Sequence, residues 1–267
     1  MKQKEIIRII RKQFEKINTA YRSLIRTYSA EDIHAFRVAV KKVRGFLRLA
    51  GLPGKLPGKL SRFYRITGTI RNLQLQQQNI RKVCMASGNE PPPYYLQVLE
   101  TEISGNILLA NFLAKGRNSF KKEEQRLIDR LPVRISKKAT ERFIHTRMKE
   151  MHTLLSAAHP TDGSLHAARK IVKDLLYTDA YTGGQALGKK SHLLPYSELE
   201  SLSVLLGELQ DIRMSTQLLQ SSYVDKAISE RERLLLFDLR GQWLDEKGRK
   251  QQELYAHLRK KMGIGDI

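Results

Sequence analysis

Ile33-His-Ala-Phe-Arg-Val-Ala-Val-Lys-Lys-Val-Arg44 and Leu165-His-Ala-Ala-Arg-Lys-Ile-Val-Lys-Asp-Leu-Leu-Tyr177 are the two stretches on which the fold turns. Each reads apolar, His, two residues, Arg, three residues, Lys. At ~100° per residue, His34, Arg37, Lys41, Arg44 and Arg48 fall in one quadrant of a helix. Phe36, Ala39, Val40, Val43, Phe46, Leu47 and Ala50 fall on the other side, so one face can enter a core while the other stays cationic. In the second stretch His166, Arg169 and Lys173 share an arc flanked by Lys170, opposite Ala168, Ile171, Val172 and Leu175.

Working outward, each stretch is followed by a second matching segment, Ile66-Thr-Gly-Thr-Ile-Arg-Asn72 and Leu205-Leu-Gly-Glu-Leu-Gln-Asp211. Two pairs at nearly the same offset imply a divergent tandem duplication, with a first half over residues 1–130 and a second over 131–267. Apolar residues recur at three- and four-residue spacing along most of the chain, and alternating β-branched runs are few, which predicts an all-α protein. Breaks are expected at Tyr28 to Glu31, Gly51 to Gly58, Gly88 to Pro93, Leu131-Pro132, His159 to Ser164, Tyr181 to Lys190 and near Pro195, giving eight or more helices. Short connections predict two antiparallel bundles of about four helices each.

The 267 residues carry 48 Lys and Arg against 27 Asp and Glu, a formal charge of +21. Such an excess is self-repelling until an anion neutralises it. Cations stacked at three- and four-residue spacing destabilise a free helix by a few tenths of a kcal/mol per pair, so the stripe makes sense with an anion bound. At ~1.5 Å rise per residue, His34 to Arg48 spans about 20 Å, which fits several consecutive phosphates better than one. Arginine offers a planar two-pronged donor and lysine a mobile point charge, so a mixed lining can follow a phosphate chain. Caps at Ser29 and at Thr161 to Ser164 would set each histidine near a helix N-terminus, where free N–H groups also favour an anion. Arg22 on the first helix, Arg65 on the third, and His145 on the helix before the second stripe are further candidate contacts.

Other functions find little support in the residues. Aromatic side chains are not interleaved with the stripe to stack bases, although a structured RNA or DNA could use the same phosphate contacts. No phosphate loop, nucleophile elbow or His-Glu-x-x-His helix occurs, and no carboxylates are placed to hold magnesium, so neither catalysis nor a metal or cofactor is expected; a phosphohydrolase is the enzyme alternative. His145, His152 and His159 recur on one face, but at about 10 Å intervals they are too far apart to share a metal. One cysteine, Cys84, and no signal-like or spanning apolar run point to a cytoplasmic, non-membrane protein.

The motifs Ile33-His34-x-x-Arg37-x-x-x-Lys41-Lys42-x-Arg44, Leu165-His166-x-x-Arg169-x-x-x-Lys173, Gly68-x-x-Arg71-Asn72 and Leu206-Gly207-x-Leu-x-Asp211 together resemble the CHAD domain, the conserved histidine α-helical domain. The resemblance covers essentially the whole chain. It implies two four-helix bundles related by a pseudo-two-fold axis around a basic channel that binds inorganic polyphosphate. On that reading His34, Arg37, Lys41, Lys42, Arg44, Arg71, His166, Arg169, Lys173 and Tyr177 occupy family positions. Asn72 and Gln74 replace aspartates the family favours, and Asp174 and Leu176 replace basic residues, which implies an asymmetric channel. The Glu-x-Glu-x-Lys strand of the enzyme domain to which such domains are often fused is missing, so a stand-alone binding module is expected.

Overall fold

In the computed structural model, residues 1–157, 160–184, 194–220 and 229–262 are described. They form nine helices: α1 (Gln3–Thr27), α2 (Ala30–Leu49), α3 (Gly58–Ala86), α4 (Pro93–Ala114), α5 (Lys121–Ile128), α6 (Lys137–Leu155), α7 (Asp162–Tyr181), α8 (Tyr196–Gln220) and α9 (Glu230–Met262). The fold is all-α, as the periodicity predicts. A break that the sequence reading did not anticipate separates α4 from α5 at residues 115–120, where Gly116 has φ +66°. His159 and most of the predicted Tyr181 to Lys190 break lie outside the described residues.

The helices begin and end for local reasons. Along α1 the buried residues Ile6, Ile10, Phe14, Ile17, Tyr21 and Leu24 recur at three- and four-residue spacing and make one apolar stripe. The helix stops at Tyr28, a non-glycine residue in the left-handed region (φ 46°), whose N–H reaches back to the Leu24 carbonyl at 2.8 Å. Burial of the Tyr28 ring and a 2.8 Å hydrogen bond from its hydroxyl to Asn111 Oδ1 hold that uncommon conformation. Ser29 then caps α2 by accepting from the Asp32 N–H at 3.1 Å, and Thr161 caps α7 by accepting from the Ser164 N–H at 3.1 Å.

Packing places the two stripe helices at the centre. α2 lies against α1, α3 and α7, and α7 lies against α6, α8 and α2. Their approach depends on Gly45, since a Cβ there would stand 3.0 Å from Tyr177 Cδ2. The predicted inner face of α2 is buried at Phe36, Ala39, Val40, Val43, Phe46 and Leu47, with Ala50 half-buried.

Two apolar cores result, one around α1–α5 and one around α6–α8. Leu236, Leu239 and Trp243 from the first part of α9, with Leu219 from α8, join the first core, whereas Leu254 and Leu258 from the end of α9 join the second. α9 therefore contributes to both cores and ties them together. No helix among the described residues is long and apolar enough to cross a membrane.

Candidate functional site

The cationic faces of α2 and α7 converge, together with residues from α3 and α8, on one basic cluster. Its middle is Lys41, which lies within electrostatic reach of Arg37 on its own helix, Arg169 and Lys173 on α7, and Asp211 on α8. Burial and those three cations hold its pKa down to about 8. Arg71 of α3 faces Glu31 and Asp211, and His34 feels Arg71, Lys41 and Arg37. Burial first and then the neighbouring cations keep the His34 and His166 imidazoles below the ordinary histidine range. Burial likewise lowers Lys173, with Arg169 adding to the effect.

The one carboxylate in the middle is Asp211. Its pKa is raised, because loss of surrounding water outweighs the pull of Arg169, Lys41 and Arg71. The side chain is nevertheless exposed, so water reaches it. Lys41, Arg71, Arg169 and Lys173 enter no salt bridge among the described residues. Half-buried cations crowded together without close ion pairs, around a single central carboxylate, are an electrostatic debt that an incoming anion would relieve.

Glycines seat the two key arginines. Arg37 donates from Nη1 to the Tyr64 carbonyl at 2.6 Å and lies over the Tyr64 ring, 4.3 Å from its centre. A Cβ at Gly68 would come within 2.9 Å of Arg37 Cζ, so a larger residue would push the guanidinium from this seat. At the matching position of the other motif, a Cβ at Gly207 would stand 3.8 Å from Arg169 Nε and Nη2, ordinary contact. Arg169 Nε and His166 Nδ1 are buried without a hydrogen-bond partner. The two arginines therefore differ: Arg37 is already held by the protein, whereas Arg169 keeps an unused donor.

The other sequence candidates spread further out. Arg44 borders the cluster, donating from Nε to the Gly54 carbonyl at 3.0 Å and lying 5.8 Å from the Tyr64 ring centre. Arg48 makes a two-pronged pair with buried Asp174, one arm being Nε to Oδ2 at 2.6 Å, which neutralises much of its charge. Lys42 turns to a separate groove that it shares with Arg8, Lys12 and Lys16 of α1. Lys170 is exposed and borders a groove with Arg48, Arg147 and Lys149, although it also acts on His166. Arg22, Arg65 and His145 are exposed on α1, α3 and α6, and Arg22 bonds only to Thr19 at 3.3 Å among its described contacts.

Some features have no clear signal in the sequence. Tyr64 is the platform for two arginines, and its spacing of four residues before Gly68 is the only hint of this. The helix N-termini are also less free than the cap positions suggest. At α2 the Asp32 carboxylate accepts from Ser23 and Thr27, and at α7 Asp162 pairs with Lys247 at 2.8 Å, so an acidic residue stands in the first turn of each. No group of three or more His, Cys, Asp or Glu side chains able to hold a metal occurs among the described residues.

Comparison with known proteins places this geometry. A family model described as the CHAD domain matches residues 8–220. Among solved structures, the CHAD domain from the plant Ricinus communis superimposes with a TM-score of 0.70 at 18% identity, over 96% of this chain and 90% of that one. PptA from Streptomyces chartreusis superimposes with a TM-score of 0.68 at 12% identity, over 97% of this chain and 99% of that one. Curated protein sequences yield no match.

Proposed function

Because the chain belongs to the CHAD domain family, we propose that its basic cluster binds long inorganic polyphosphate, without catalysis, in a channel between the halves. The observation that carries this reading is the meeting of Lys41 and Arg37 with Arg169 and Lys173 around a lysine whose pKa is depressed to about 8. An anion placed there stabilises the charged form of Lys41 and meets the free Arg169 donor. A linear phosphate chain supplies anionic oxygens at every unit, so it can follow α2 and α7 together. Tyr64 is already covered by Arg37, which removes a platform for base stacking and favours a ligand without bases. Cys84 is a buried free thiol, in keeping with a reducing, cytoplasmic setting.

Titration with long-chain polyphosphate and with an oligonucleotide of equal charge, repeated across salt, tests the proposal. Polyphosphate should bind more tightly at every salt concentration, because counterion release alone would leave the two nearly equal. Equal or tighter oligonucleotide binding overturns it. Sustained phosphate release in the presence of magnesium or manganese overturns the non-catalytic part.

A further inference from the structure

α4 carries an apolar outer face that its own molecule leaves uncovered. Its inner face, Tyr95, Leu96, Leu99, Ile103 and Ala110, is buried against the first core. On the outside, Leu108, Leu109 and Phe112 are 70%, 56% and 76% exposed. Thr101, Ser104 and Gly105 beside them are exposed as well, and nothing lies within 4 Å of where a Gly105 Cβ would stand. Three large apolar side chains grouped on one helix face are a recognition surface more often than an accident.

The charge distribution singles out the same helix independently. From Val83 to Ala114 there is no Lys or Arg, only Glu90, Glu100 and Glu102, in a chain whose formal charge is +21. Two copies of so basic a molecule repel each other wherever their cationic surfaces meet. The stretch that forms α4 adds no cation of its own to such a contact.

We infer that α4 is a homodimer surface, on which a second copy of this chain docks its own α4 antiparallel about a two-fold axis near Leu108 and Leu109. The sequence of the face is self-complementary in that arrangement. An axis between residues 108 and 109 sets Phe112 of each copy opposite Gly105 of the other, a large side chain over a position with no side chain. Leu108 and Leu109 close the centre. The part of α4 bearing Glu100 and Glu102 lies alongside the end of the other copy's helix, which is followed by Lys115, so the charges left at the rim attract. This inference does not depend on the ligand of the basic cluster.

Sedimentation of the full chain, freed of nucleic acid and polyphosphate, tests it from about 1 to 100 µM at low salt and at about 0.5 M NaCl. A monomer–dimer equilibrium is expected, with the dimer favoured at high salt because the remaining repulsion is screened. Phe112→Glu should weaken it by at least about a hundredfold, since each copy loses an anchor and gains a desolvated charge. Helical content should not change, because the side chain is exposed. Leu108→Cys, next to the axis, should form an intermolecular disulfide under mild oxidation, whereas the wild type, whose thiol is buried, should not. A monomer at every concentration overturns the inference, as does a dimer that survives Phe112→Glu and leaves Leu108→Cys uncrosslinked. Assembly that dissolves at high salt overturns it too, being the mark of copies bridged by an anion.

Discussion

Raising the pH from 7 to 9 should weaken polyanion binding about tenfold, and Lys41 is the reason. The free protein holds its pKa at about 8, so Lys41 passes from about nine-tenths charged at pH 7 to about one-tenth at pH 9. A bound anion favours the charged form and returns the pKa towards 10.5. Across this window the dissociation constant should therefore rise with a slope approaching one decade per pH unit, and binding near pH 8 should draw about half a proton from solution. The other groups facing Lys41 are Arg37 on α2, Arg169 and Lys173 on α7 and Asp211 on α8. The His34 and His166 imidazoles, held below the ordinary histidine range, add little to this window. Lys173, also depressed by burial, acts in the same direction. Calorimetry in buffers of different ionisation enthalpy measures the proton uptake directly. Lys41→Gln should remove most of it and flatten the pH profile. A wild-type profile as flat as that of Lys41→Gln would refute the reasoning. The same shift acts on folding: above about pH 8 the unfolded chain binds the Lys41 proton more tightly than the folded one. Stability of the free protein should thus rise with pH from about 8 to 10.5, by at most about 3 kcal/mol.

The two seating glycines should respond differently to alanine. Gly68→Ala drives a Cβ into the Arg37 guanidinium and should lower stability in thermal melts by about 1–2 kcal/mol, outweighing the gain in helix propensity, whereas Gly207→Ala should be neutral or stabilising by up to about 1 kcal/mol. Arg48→Ala strands a buried carboxylate at Asp174 and should cost about 3 kcal/mol in chemical denaturation; an apolar pair at both positions should recover most of that. Asp211→Asn removes the carboxylate facing Arg169, Lys41 and Arg71 and should tighten polyphosphate binding a few-fold in the same titration; weaker binding would show that Asp211 orients the cations instead.

Legibility in the sequence followed the physics of each feature. Helix periodicity depends on residues a few positions apart, so the inner face of α2 and most of the breaks could be read from apolar spacing alone. The inner members of the stripe, His34, Arg37, Lys41, Arg169 and Lys173, were legible because both stretches repeat the same spacing on one face. Other features depend on contacts between distant segments. A helical wheel puts Arg48 beside Arg37, but Asp174 reaches Arg48 only once α2 and α7 pack at Gly45. Tyr64 lies beneath Arg37 only once α2 and α3 pack and the guanidinium settles beside Gly68. The assignment of α9 to both cores was hidden for a similar reason: a long amphipathic helix does not announce which neighbour each turn will meet.

The central claim is that a particular cluster, and not the overall charge of +21, recognises the ligand. Two double variants with the same change in net charge test it most directly. Lys41→Glu with Arg169→Glu reverses the middle of the cluster from both stripe helices, and Arg65→Glu with Lys149→Glu reverses two exposed cations on α3 and α6. Affinity for long-chain polyphosphate, measured at about physiological ionic strength where surface charges are screened beyond about 8 Å, should fall at least about a hundredfold in the first and less than about threefold in the second. Equal losses in the two variants would contradict the account, leaving only a non-specific attraction between a basic protein and a polyanion.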